Sequence, residues 1–238
     1  MEGNIKDERA LAIQERVFLV CSAIFIASLV SCNLIFQKFF TWTPFGLYRF
    51  EVSVGILPYP ITFLVTDVVS EIYGKRRADQ IVVSGFIASL FVMGIILLAQ
   101  AVPQTDWSPI SDQEFRKVFG LYGPAVFASM CAYLGAQFLD IRLFHFWKRL
   151  TKGKHLWLRN NGSTIVSQFV DTNTVMFLLC FFRVVEWERY WPLTINGFLF
   201  KAIIALLDTP FFYSADWYLR KLMQLRPGEE IEAQKSLA

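Results

Sequence analysis

Ile81-Val-Val-Ser-Gly-Phe-Ile-Ala-Ser-Leu-Phe-Val-Met-Gly-Ile-Ile-Leu-Leu-Ala-Gln-Ala-Val102 runs for 22 residues without a charged side chain. About 20 helical residues at 1.5 Å rise cover a hydrocarbon core of roughly 30 Å, so this stretch alone is long enough to cross a bilayer. Five more apolar runs of similar length surround it: Val17–Phe36, Val52–Val69, Val118–Leu139, Ser163–Phe182 and Leu193–Phe212. All seven tryptophans fall outside the six runs, where an amphipathic indole at the headgroup level belongs. The expectation is an all-α polytopic membrane protein, a bundle of six transmembrane helices.

Composition agrees. Hydrophobic residues make up 55% of the 238, charged residues only 18%, and the mean hydropathy is +0.42. A soluble domain carries roughly 25% charge. The runs and their short connections leave no room for a separate soluble domain. A net charge of +3 is too small to point to nucleic acid. Its distribution is more telling. The N-terminal tail, the loops after the second and fourth runs and the C-terminal tail hold sixteen Lys and Arg, against six in the alternate loops. That bias places both termini in the cytoplasm. The expected organisation is a cytoplasmic tail over 1–16, a membrane domain over 17–220 and a second cytoplasmic tail over 221–238, frayed beyond Pro227.

The four cysteines lie inside the runs and read as small packing residues. Leu29-Val30-Ser31-Cys32 has the look of a lipoprotein cleavage box, but a long acidic leader and five later runs argue against cleavage. Between the third and fourth runs, Phe115, Val118 and Phe119 alternate with Asp112, Glu114, Arg116 and Lys117, which predicts a short interfacial helix. The middle run of each three-span half carries an acid, Asp67 and Asp171, the pattern of an inverted repeat about a midplane site. In Leu57-Pro58-Tyr59-Pro60 each proline removes a helical N–H. This is either a packing kink or an opened segment against a cavity, since lipid cannot satisfy the freed carbonyls.

Polar groups inside the runs carry the functional reading. A charge near a span's centre costs about 2.5–3.5 kcal/mol on insertion scales. Asp171 and Lys201 each lie eight residues into their runs, roughly 12 Å deep at helical rise, and are expected to pair. Asp208 and Asp67 lie nearer the inner ends, with Glu71, Asp140 and Arg142 just beyond them, where an ordinary boundary charge is equally consistent. Asp67 and Glu71 share a helix face with Phe63; Gln168 and Asp171 share another. Asp67, Glu71, Gln168 and Asp171, with Tyr59 and Phe63, are the candidate substrate site. Lys201 and Asp208 would balance charge, and Gln137, Asp140 and Arg142 form a possible inner gate. Tyr59, Phe63, Phe169 and Phe177 could stack on a planar ring. An acid-lined cavity suits a ligand that is cationic or presents several N–H donors, such as a guanine-like edge. His145 and His155 lack partners at metal-ligand spacing, and there is no phosphate loop, so no metal, cofactor or catalytic centre is expected.

The chain resembles the queuosine precursor transporters, also called the VUT family. The resemblance rests on Leu57-Pro-Tyr-Pro-Ile-Thr-Phe-Leu-Val-Thr-Asp67, Ser70-Glu-Ile-Tyr-Gly74, Phe115 and Val118-Phe-Gly120. It continues through Ala128-Ser129, Gln137, Asp140, Phe144, Trp157-Leu-Arg159, Ser163-Thr164, Gln168 and Asp171-Thr172 to Lys201 and Pro210. It covers roughly residues 17–220. It implies a multi-pass importer in the bacterial inner membrane that carries 7-deazaguanine bases for tRNA queuosine salvage, with a small deazapurine and the lipid bilayer as its partners. Neither the preferred precursor, the energy source nor the oligomeric state follows from it. The rival readings are a carrier of another purine or vitamin, an intramembrane enzyme using the Asp pair for acid–base work, and a structural membrane subunit.

Overall fold

The computed structural model describes residues 2–120, 124–152, 154–183, 185–226 and 228–231. Helix α1 spans Glu2–Ile35 and is followed by a β-hairpin, β1 (Phe39–Trp42) and β2 (Phe50–Ser53). Then come α2 (Tyr59–Tyr73), α3 (Lys75–Ala101), α4 (Asp112–Phe119), α5 (Pro124–Leu150), α6 (Leu156–Phe181) and α7 (Tyr190–Met223). The protein is an all-α membrane protein with one small hairpin. Among the described residues, Ala10–Ile35, Val54–Tyr73, Lys75–Ala101, Leu156–Phe181 and Trp187–Met223 are long and apolar enough to cross a bilayer. The fourth apolar run meets α5, and residues 121–123 between α4 and α5 lie outside the described residues.

The opening stretch shows how the helices sort their faces. In α3 the buried residues are Ala78, Ile81, Val82, Gly85 and Ser89, at helical spacing. Ile87, Phe91, Ile95 and Leu98 are all half or more exposed on the other side. Ala78, Gly85 and Ser89 let α3 approach its neighbours closely, while large apolar side chains cover the outward face, as expected where lipid replaces water. At Gly85 a Cβ would come within 2.5 Å of the Phe25 ring, so the glycine sets how closely α3 approaches α1.

Three boundaries depart from the sequence expectation. The second run, Val52–Val69, is not one helix. Its start is β2, which pairs antiparallel with β1 from Phe39↔Ser53 to Trp42↔Phe50, and a 3-10 turn over Val54–Ile56 follows. The hairpin is tolerated because protein covers it: Phe50 and Val52 are buried with Phe200, and Trp42 meets the Phe200 ring edge-on at 5.4 Å. Pro58 and Pro60 therefore open α2 instead of kinking it. A proline at a helix start removes an N–H that has no intrahelical partner anyway.

The fourth run, Val118–Leu139, is likewise divided, with its first residues ending α4. That interfacial helix begins with a capping box in which Ser111 and Glu114 satisfy each other's backbone N–H. Finally, the described parts of both terminal segments are engaged with the bundle. The charged leader forms the first turns of α1, where Glu15 pairs with Arg77 at 2.8 Å. At the other end, Ile231 is buried in the main core cluster.

α2 is the central element. Every residue from Val65 to Tyr73 is buried, and the helix packs against α1, α3, α5 and α7. Gly74, at φ +82°, makes the sharp corner into α3, a conformation that L side chains resist. On the other flank α5, α6 and α7 pack in sequence.

Candidate functional site

Three helix stripes meet at one cleft. α2 contributes Tyr59, Phe63 and Asp67, α6 contributes Asn160, Thr164 and Gln168, and α7 contributes Lys201, Ala205 and Asp208. Each set follows the three- or four-residue spacing that aligns side chains on one helix face. Asp67 of α2 and Asp208 of α7 thus turn toward a common space, with the amides of Asn160 and Gln168 on its α6 wall. That space is narrow: the cavity measures about 20 Å³, room for roughly one water.

At one end of the cleft, Asp171 accepts from both Tyr59 and Lys201. The Lys201 Nζ–Asp171 Oδ2 distance is 2.8 Å, and the Tyr59 hydroxyl donates to the same oxygen. Lys201 also sits 4.0 Å from the Tyr59 ring centroid, a cation–π contact. Asp171 Oδ1 is left with no donor, as is Gln168 Oε1 one turn earlier, and both residues are 2% exposed. Tyr59 and Phe63 form an aromatic pair at 5.4 Å, with Tyr133 of α5 packed edge-on to both rings.

Deeper in the bundle, Asp67 Oδ2 accepts from Thr164 at 3.3 Å, and Asp140 Oδ1 accepts from Ser167 at 2.8 Å. Gln137 is fully buried and its amide is engaged. It donates to Tyr133 and Thr62 and accepts from Thr66, tying α5 to α2.

Glu71 lies one turn beyond Asp67 and belongs to a separate ion network. Arg220 approaches its Oε1 at 2.6 Å, Arg159 the same oxygen at 3.1 Å, and Lys148 its Oε2 at 2.9 Å. Lys148 also binds Glu230, and Arg220 binds Asp216. Three cations and three acids thereby fasten α2, α5, α6, α7 and the segment after α7 together. The structure separates Arg142 from Asp140: the acid is fully buried and the arginine is exposed, so the two form no latch. Phe169 and Phe177 are each 48% exposed, facing away from the cleft. Asp208 is half-buried in the cleft wall.

Sequence reasoning passed over Asn160, Tyr133 and Ser167. Their spacing alone held a signal, because Asn160, Thr164, Ser167, Gln168 and Asp171 form one polar face along α6. Among the described residues no group of three or more His, Cys, Asp or Glu side chains is arranged to hold a metal ion.

The family described as "Putative vitamin uptake transporter" matches residues 53–215. This chain belongs to that family. Two relatives carry the name "Probable queuosine precursor transporter". One, from Bacillus subtilis, is 30% identical over 173 residues, 71% of this chain and 73% of its own. The other, from Haemophilus influenzae, is 27% identical over 166 residues, 67% of this chain and 66% of its own. No solved structure matches. The protein is thus a multi-pass membrane transporter. The family match takes in all three stripes of the transporter's cleft but ends before Arg220, whose ion network lies at its edge.

Proposed function

We propose that this transporter imports queuosine precursors, 7-deazaguanine bases, across the bacterial inner membrane without altering them chemically. Six spans with both termini in the cytoplasm would carry the cleft. The observation behind the reading is the set of buried acceptor oxygens that lack donors along one wall, Gln168 Oε1 and Asp171 Oδ1. A buried polar atom without a partner costs about 1–3 kcal/mol, so a ligand that supplies N–H donors there binds with that penalty relieved. A guanine-type edge presents adjacent donors, and the Tyr59–Phe63 pair offers ring faces at the same level. The names of the two relatives point to the same ligand class.

The site as seen is too small for a bicyclic base. Ligand pockets usually measure about 300–1,000 Å³, so admission requires α2, α6 and α7 to part around the cleft. Lys201 is the side chain best placed to yield, because its ammonium bridges Asp171 and Tyr59 across the opening. The Asp67–Glu71 set read as one site from the sequence divides here: Asp67 faces the cleft, while Glu71 serves the ion network.

The test is uptake in a bacterial strain unable to synthesise the precursor. Expression of the transporter is expected to restore queuosine in tRNA when the nitrile or aminomethyl deazaguanine is supplied. Asp171→Asn should abolish that restoration at unchanged membrane abundance. Competition with guanine, queuine and biotin on purified protein separates this substrate from other purines and vitamins. Preferential displacement by biotin would overturn the assignment.

A further inference from the structure

Asp67 and Asp140 come together inside the bundle against one face of α6, held by the hydroxyls of Thr164 and Ser167, which lie one helical turn apart. Both are essentially inaccessible, at 1% and 0% exposure. Their surroundings match in two respects. Each has one oxygen served by a hydroxyl of α6, Thr164 for Asp67 and Ser167 for Asp140. Each has one oxygen with no donor, Asp67 Oδ1 and Asp140 Oδ2. Two ionised carboxylates that lie one helical turn apart in a buried space repel, and with water excluded nothing screens them. A single proton held between them removes the repulsion and supplies the missing donor.

Among the described residues, no cation pairs with either carboxyl group. On α2, Glu71 adds negative charge one turn away, but it is taken up by Arg159, Arg220 and Lys148. Lys201 on α7 is committed to Asp171. From α5, Tyr133 and Gln137 bind each other, and from α6 the hydroxyls of Thr164 and Ser167 bind the pair. Glu15 of α1 and Asp79 of α3, at the same end of α2, are paired with Arg77 and Lys75. Asp208 faces the cleft from α7 without joining the pair.

One member of the pair, Asp67, also lines the cleft beside Gln168, whose unpartnered Oε1 marks where a ligand's donor is wanted. We propose that Asp67 and Asp140 form a proton-binding site that drives import, one proton entering with each molecule of substrate. With the proton in place, Asp140 acts as donor to Asp67, and α2 is held against α5 and α6 in the geometry that binds substrate. When the proton leaves on the inner side, where its concentration is lower, the two carboxylates repel. The α2–α5 contact loosens and the cleft releases its ligand. Intramembrane acids of this kind commonly serve as proton relays in transporters.

The inference rests on the deazaguanine reading only for its probe, the uncharged nitrile-bearing base. In proteoliposomes with the membrane potential clamped at zero, inward proton gradients of increasing size are imposed and probe accumulation is measured. One proton per substrate predicts that accumulation rises about tenfold per pH unit. A pH dye trapped inside should report acidification on addition of the probe. In Asp140→Asn the amide donates to Asp67 without titrating. Its accumulation ratio is expected to fall to about one at any gradient, with a flat pH profile. Accumulation by the unsubstituted protein that ignores the gradient, or gradient-driven accumulation by the variant, overturns the proton site while leaving the substrate assignment standing. Should the variant fail to fold, the dye signal and gradient series on the unsubstituted protein decide alone. Absence of any binding or uptake of the nitrile base overturns the substrate assignment first, and this inference with it.

Discussion

Lys201 and Asp171 show how far depth alone can be read from a chain. Both lie eight residues into apolar runs, so each needs a partner at that level, and in the folded protein they are 2.8 Å apart. Breaking a buried ion pair from one side costs about 3–5 kcal/mol because the survivor is left unpaired, whereas replacing both partners is often neutral. Lys201→Met is therefore expected to lower stability in detergent by about that amount. Lys201→Met with Asp171→Asn should recover most of the loss in the same unfolding measurement, yet still fail in uptake. Recovery of uptake by the double variant would reduce the pair to a structural tie. Glu71 is the contrasting residue. It resembled a boundary charge because its strongest partner, Arg220, lies 149 positions along the chain, a distance no local pattern spans. Arg142 fell the other way: adjacency to Asp140 in sequence placed it on the opposite side of α5.

At the scale of elements, α2 is the piece that the apolar pattern described least well. A short apolar run is compatible with a strand or a helix, and Val52–Val69 contains both in succession. Helix α2 keeps only 15 residues, about 22 Å, so the hairpin and the Val54–Ile56 turn complete its passage. That turn packs against α1 with little room to spare. A Cβ at Gly55 would lie 2.7 Å from the Cys32 carbonyl and 3.0 Å from the Phe36 Cα, both backbone atoms that cannot move aside cheaply. Gly55→Ala is expected to destabilise the protein by about 1–3 kcal/mol, as overpacked sites do. Thermal unfolding in detergent checks it, and an unchanged transition would show that α1 and the turn separate readily. The interfacial helix α4 was legible in advance, because its alternation of aromatic and charged residues and its capping residues are all local.

For the whole molecule, the neighbouring ends of α2, α5, α6 and α7 are fastened by Lys148, Arg159 and Arg220 against Glu71, Asp216 and Glu230. Glu71 sits at the centre, 1% exposed, and its loss removes the one acid that all three cations share. Glu71→Gln is expected to cost about 3–5 kcal/mol and to free the segment around residues 224–231 for proteolysis. Glu230→Gln, at a more accessible position, should cost no more than about 1 kcal/mol. Equal losses from the two would mean that the network is not centred on Glu71. The sequence by itself determined the solvent, the helical class and which ionisable groups lie deep, because apolar length, charge bias and the cost of a charge in lipid are properties of single segments. It also carried the family likeness, through motifs that run along the chain. Only the tertiary structure decided which acids share a space: Asp67 with Asp140, Asp171 with Lys201 and Tyr59, and Glu71 with three cations. Helix rotation and packing bring together side chains from distant segments, and the pairing energies that favour one rotation over another exist only once the helices are in contact.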